Sequence, residues 1–211
     1  MINLFLKAKH WQLFFLMVGV PIIGYVIFVI RLIDSIQFAQ TEDAGSLASP
    51  EDVIDMMRPF FLFLMFAVLI QFGWSFAIGK GLQNFINPML RLKTGLFSFT
   101  VLFPIVYALA SFYLVDGILE NAVLDGDYVP PLSLIIMLPL NFMVMACVFY
   151  NFYFIARTLK TAELNRVVKF SDYAGEFFLM WFYFIGVWII QPKVNRMQEH
   201  IPGDLLNELH D

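Results

Sequence analysis

Asp172 and Glu176 stand four residues apart, with Arg166 and Lys169 just before them and an apolar run beginning at Phe177. On a helix that spacing brings both carboxylates to one face. Two acids so placed can pair with the neighbouring bases, hold a cation or partner at a membrane surface, or act on a lipid there. The plainest of these is a helix start: Ser171 and Asp172 supply caps and the acids pair with Arg166 and Lys169. Asn141 is the second candidate. It follows Pro139 by two residues inside a charge-free block. Pro139 removes one helix hydrogen bond and frees the carbonyl of Ile135. The amide beside that kink would either line a solute path or hydrogen-bond to a neighbouring helix, the simpler role.

Gly73, Ala77 and Gly81 recur every fourth residue, so a second helix can approach closely along that stripe, from this chain or from another. Pro104 with Tyr107, and Pro21 with Gly19 and Gly24, mark kinks in two other blocks. Met143 and Cys147 share a helix face, and sulfur ligands suit Cu(I). With no second cysteine and no nearby histidine they read as packing. The three histidines, His10, His200 and His210, lie at the chain ends. No His-Glu-x-x-His, Gly-x-Ser-x-Gly, glycine-rich phosphate loop or dinucleotide fingerprint occurs. No cofactor, metal site or enzymatic activity is expected.

These residues belong to a chain of 211, of which 60% are hydrophobic and 14% charged, with a mean hydropathy of +0.76. Soluble domains are roughly a quarter charged. Thirteen Lys and Arg with 17 Asp and Glu cannot build a polar surface around so apolar a polypeptide, so its solvent is lipid. The net charge of −4 and the dispersed bases argue against a nucleic-acid partner.

Four blocks without charge, Trp11–Ile30, Pro59–Gly79, Gly95–Val115 and Leu132–Ala156, are long enough to cross about 30 Å of hydrocarbon. Each must be helical, because lipid cannot satisfy an open backbone. Lys7 and Lys9 precede the first block, and six acids fill the connection to the second. Lys80, Arg91 and Lys93 follow the second block. Asp116, Glu120, Asp125 and Asp127 follow the third, and Arg157, Lys160, Arg166 and Lys169 follow the fourth. Bases are retained on the cytoplasmic side, so both termini are expected there, with the first block a retained signal anchor in the cell membrane.

The fifth block, Phe177–Ile190, is short, half of it is Phe, Trp or Tyr, and bases flank it on both sides. It reads as a segment that dips into the membrane and returns, with a bend at Gly186; a fifth span is the alternative. The expected fold is therefore an all-α integral membrane protein of four transmembrane helices plus a re-entrant or interfacial aromatic segment. Residues 1–197 form one multi-pass domain and 198–211 a polar tail. Ser49 to Asp52 should start a short outer helix that stops or kinks at Pro59. Leu82, Phe85, Ile86, Met89 and Leu92 have near-helical spacing, which predicts a helix lying on the inner membrane surface.

With so little reaction chemistry, the first functional reading is a non-catalytic accessory or assembly subunit, its partners the lipid bilayer and another membrane protein or a second copy. The second is a small permease or channel using the kinked helices. The third is a lipid-acting enzyme using Asp172 and Glu176.

Overall fold

A computed structural model of the protein describes the backbone of residues 2–41, 50–124 and 131–199, and the side chains of residues 2–37, 55–114 and 136–199. Among these residues all regular structure is helical. A short α1 (Ile2–Lys7) is followed by α2 (His10–Phe14), a π turn (Phe15–Gly19) and α3 (Val20–Thr41). Then come α4 (Pro50–Gly81), α5 (Gly95–Leu124), α6 (Pro131–Leu164), α7 (Phe170–Trp181) and α8 (Tyr183–Glu199). Four stretches are long and apolar enough to cross a membrane: His10–Gln37, Asp55–Phe85, Gly95–Leu114 and Ile136–Leu164. The chain is thus a multi-pass helical membrane protein, and its described residues hold the expected number of spans.

The first span is one rod with a local fault. Pro21 has no N–H for the carbonyl of Met17, and its ring crowds that oxygen. One turn earlier the helix widens, and the Val20 N–H reaches back five residues to the carbonyl of Phe15. The second span differs from expectation: α4 runs unbroken from Pro50 through Pro59 to Gly81. Near that proline, Arg58 and Asp55 pair at 2.7 Å. Likewise α5 outlasts its apolar block and carries Asp116 and Glu120 on helical backbone. The proposed cap Ser49, the acids Asp125 and Asp127 and the tail beyond Glu199 lie outside the described residues.

Lipid tails are as apolar as leucine, so these helices associate through close packing and hydrogen bonds rather than by escaping water. That packing is concentrated at one end. Trp74, Ile78, Leu82, Phe97, Ile155, Leu159, Met180, Val187, Ile190 and Val194 are fully buried. The Phe97 ring stacks on Phe154 at 4.3 Å and lies over Gly79, where a Cβ would collide with it. Every Lys and Arg except Arg31 and Arg58 lies at or near this end, called here the basic end. The extensive helix contacts run from α3 to α4, α4 to α5, α5 to α6 and α6 to α7, with α1 also packed along α4 and a smaller contact between α4 and α6.

The aromatic segment folds back on itself. The chain breaks at Phe182 (φ −90°, ψ 58°), midway along Phe177–Ile190. Gly186 then sits against the carbonyl of Leu179, leaving no room for a Cβ. Glu176 and Lys193 lie 17 residues apart, which would be about 25 Å along a continuous helix. Their side chains instead meet at 2.9 Å. Residues α7 and α8 therefore form a hairpin whose two open ends share the basic end, as a dipping segment requires.

Candidate functional site: a polar clasp at the basic end

Polar side chains of α4, α6, α7 and α8 meet at inter-helix joints at the basic end, and α1 brings its carbonyls to one of them. Gln191, at the midpoint of α8, is completely buried. Its Oε1 accepts the indole N–H of Trp74 at 2.7 Å. Its Nε2 faces the carbonyls of Phe5, Leu6 and Ala8 at 3.0, 3.1 and 2.9 Å, and Asn195 Oδ1 at 3.0 Å. Two amide hydrogens are shared among those acceptors. The last carbonyls of a helix have no partner within it, and a helix as short as α1 is unstable alone. Gln191 supplies both the partner and the anchor.

The glycine stripe supplies the seat. Phe5 packs on Gly73, while Leu6 and Ile2 pack on Gly81; a Cβ at either glycine would crowd these side chains. Ala77 between them is buried. The helix approaching Gly73, Ala77 and Gly81 is thus α1 of the same chain.

A charged joint fastens the hairpin. Glu176 Oε1 accepts from Lys193 Nζ at 2.9 Å and from Lys160 Nζ at 3.4 Å. Lys160 also donates to Glu163 at 2.9 Å. Burial pushes the Glu176 carboxyl up, but the Lys193 hydrogen bond and the two ammonium charges outweigh it and hold it below its ordinary range. Asp172 has the capping role its position suggests. Its Oδ2 accepts the Lys169 backbone N–H at 2.9 Å and its Oδ1 accepts from Arg166 at 3.3 Å. The Lys169 N–H, with the Arg166 charge, holds this carboxyl low. Asp172 and Glu176 thus have separate partners: Arg166 and Lys169 serve Asp172 alone, and the acid at 176 pairs across the hairpin.

The connection after α4 is not the surface helix its spacing predicts. It forms two 3-10 turns, Leu82–Phe85 and Pro88–Leu90, with Ile86 buried and Met89 95% exposed. Pro88 cannot donate a helical hydrogen bond, and local side chains take over. Gln83 Oε1 accepts the Leu92 N–H at 3.0 Å, and its Nε2 reaches Thr158 at 3.3 Å. Asn165, at φ 48°, ends α6 in a conformation asparagine tolerates. Its Oδ1 accepts the Asn87 N–H at 3.2 Å. Deeper in the bundle, Thr100 and Asn151 form a reciprocal pair. The hydroxyl donates to Asn151 Oδ1 at 2.8 Å, and the amide donates to the Thr100 carbonyl at 2.9 Å.

Sequence reasoning missed Trp74, Gln83, Thr100, Asn151 and Gln191. Asn151 carried a usable signal, an amide inside an apolar block. Gln191 looked like the border of the aromatic segment, and only the fold-back puts it inside. Gln71, midway along the second span, was also passed over; its buried Oε1 has no donor among the described residues.

Asn141 is not part of the clasp. It is exposed, and its Nδ2 donates to the carbonyl of Met137 on its own helix at 2.9 Å rather than to a neighbouring helix. Pro139 is exposed beside it. Met143 is 42% exposed while Cys147 is buried. No cluster of metal-ligating side chains occurs among the described residues. What the arrangement does chemically is hold: its amides and charges are spent on joining α1, α4, α6, α7 and α8. No known protein family, no curated protein and no solved structure matches the chain.

Proposed function

We propose that the chain is a non-catalytic accessory or assembly subunit of a membrane complex. Its basic end faces the cytoplasm, and it docks another membrane protein along the half of α6 remote from the clasp. The observation that carries this reading is Asn141. An amide on a lipid-facing surface is costly, and such residues usually serve helix association. Apart from its bond to Met137, Asn141 has no hydrogen-bond partner among the described residues, so Oδ1 and one amide hydrogen remain for a neighbour. The surrounding turns fit the same role. From Ile136 to Ala146 only Met137, Leu140 and Val144 are half-buried, and the rest are exposed. The outward position of Asn141 also removes it from any path between the helices of one chain.

Purification in a mild detergent is expected to recover a stoichiometric second polypeptide. Asn141→Leu, a change on an exposed surface, should weaken its retention by about five- to thirtyfold, equivalent to about 1–2 kcal/mol. A monodisperse single chain in that detergent would overturn the proposal. A homodimer sensitive to Asn141→Leu would replace the partner protein with a second copy.

A further inference from the structure

We infer that the groove beside α1, at the N-terminal end of the chain, is a binding site for one anionic phospholipid in the leaflet at the basic end. The site is independent of the α6 surface. Between α1 and the start of the first span lies an open groove of about 770 Å³. Leu4 and Phe5 form one wall, Trp11, Phe15 and Leu16 the other, and Ile70 of α4 contributes to the floor. The clasp fixes its width, because Gln191 holds α1 by its carbonyls and Gly73 admits Phe5. The groove is therefore a built feature of the fold rather than the gap beside a loose terminus.

Its chemistry changes along its length. The walls are apolar, and Leu4, Trp11 and Phe15 present 71, 53 and 52% of their surface outward, as a trough for an acyl chain would. Lys7, Asn3 and Gln12 also line it and provide a cation and hydrogen-bond donors. No acid pairs with Lys7 among the described residues, and the sequence has no Asp or Glu before Asp34. Trp11 is the type of residue that settles at headgroup level. An acyl chain gains little by leaving other acyl chains, so selectivity must come from the headgroup. A phosphate carrying net negative charge matches Lys7; a zwitterionic lipid, whose choline cancels the phosphate, matches it less well. A protein helix would leave the lysine unanswered unless it brought an acid to this position.

The test uses the full chain in vesicles of phosphatidylcholine containing either brominated phosphatidylglycerol or brominated phosphatidylcholine at equal mole fraction. Trp11 fluorescence is read as the difference between the native chain and Trp11→Phe. Phosphatidylglycerol should associate about fivefold more strongly, the preference one lysine confers near an anionic surface. Lys7→Gln should abolish the preference. Lys9→Gln, an exposed base outside the groove lining, should leave most of it. Leu4→Phe, which fills the trough from an exposed position without adding a fluorophore that the assay reads, should reduce quenching by both lipids. Equal quenching by the two lipids in the native chain would overturn the site. So would equal losses in Lys7→Gln and Lys9→Gln, which would mean diffuse surface attraction. A co-purifying polypeptide displaced by Leu4→Phe, with lipid quenching unchanged, would assign the groove to a protein instead.

Discussion

Gln191 concentrates more inter-element bonds than any other described side chain, and its surroundings make the cost of losing it calculable. Leucine at 191 would fill similar volume but leave the indole N–H of Trp74 and the Leu6 carbonyl without their partner, while the Phe5 and Ala8 carbonyls would keep only the longer bonds from the Ala8 N–H and Asn195 Nδ2. Unpaired buried polar groups cost about 1–3 kcal/mol each. Gln191→Leu should therefore release α1, and amide exchange across Ile2–Leu13 should rise by at least tenfold while the helices of the spans stay protected. Trp74→Phe removes only one donor and should give a smaller rise. Unchanged exchange in Gln191→Leu would show that the glycine seat alone holds α1. At this scale the sequence is weakly informative. Asp172 and Arg166 pair across only six residues and can be read from spacing. Gln191 and Phe5 lie at opposite ends of the chain, and no local pattern connects them.

At the scale of elements, apolar length identified the four spans because hydrocarbon thickness imposes it directly. Pro59 does not stop the outer helix: it lies inside α4, since a membrane helix can tolerate a missing bond. The stretch after α4 shows the opposite outcome. Helical spacing from Leu82 to Leu92 was outweighed by Pro88 and by the side-chain bonds of Gln83 and Asn87. The α7–α8 hairpin rests on a charge pair, which makes it sensitive to acid in a definite window. The Glu176 carboxyl is held below its ordinary value of 4.5. Its contribution is complete above that value and fades as pH falls through the lower, folded value. Hairpin amides should exchange equally from pH 7 to pH 5, after correction for intrinsic rates, and lose protection only below about 4.5. Glu176→Gln should lower hairpin stability by about 2 kcal/mol at pH 7 and reduce the acid-dependent loss to the share of the Asp172 cap, which is also held low. A native chain whose hairpin loosens between pH 7 and pH 5 would contradict the ion-pair account.

At the scale of the molecule, one asymmetry organises the rest: bases, buried aromatics and inter-helix bonds gather at the same end. A base near the end of a span must stay at a membrane surface, and here Lys193 and Lys160 also reach the carboxylate that closes the hairpin. Orientation and packing are thus served by the same side chains. The consequence for topology is sharp, because a hairpin returns the chain to the side it left, whereas a fifth span would not. In a Cys147→Ala background, single cysteines can be placed at the exposed positions Met89, Lys169 and Glu199, and at the exposed Asp55 near the other end of α4. A membrane-impermeant maleimide should modify the first three from one side of sealed vesicles and the fourth only from the other. Modification of Lys169→Cys and Glu199→Cys from opposite sides would require α7 and α8 to cross as one rod. Glu176 and Lys193 could not then meet, and Gln191 could not reach both Trp74 and the carbonyls of α1. The clasp, the N-terminal groove and the hairpin therefore stand or fall with that single labelling result.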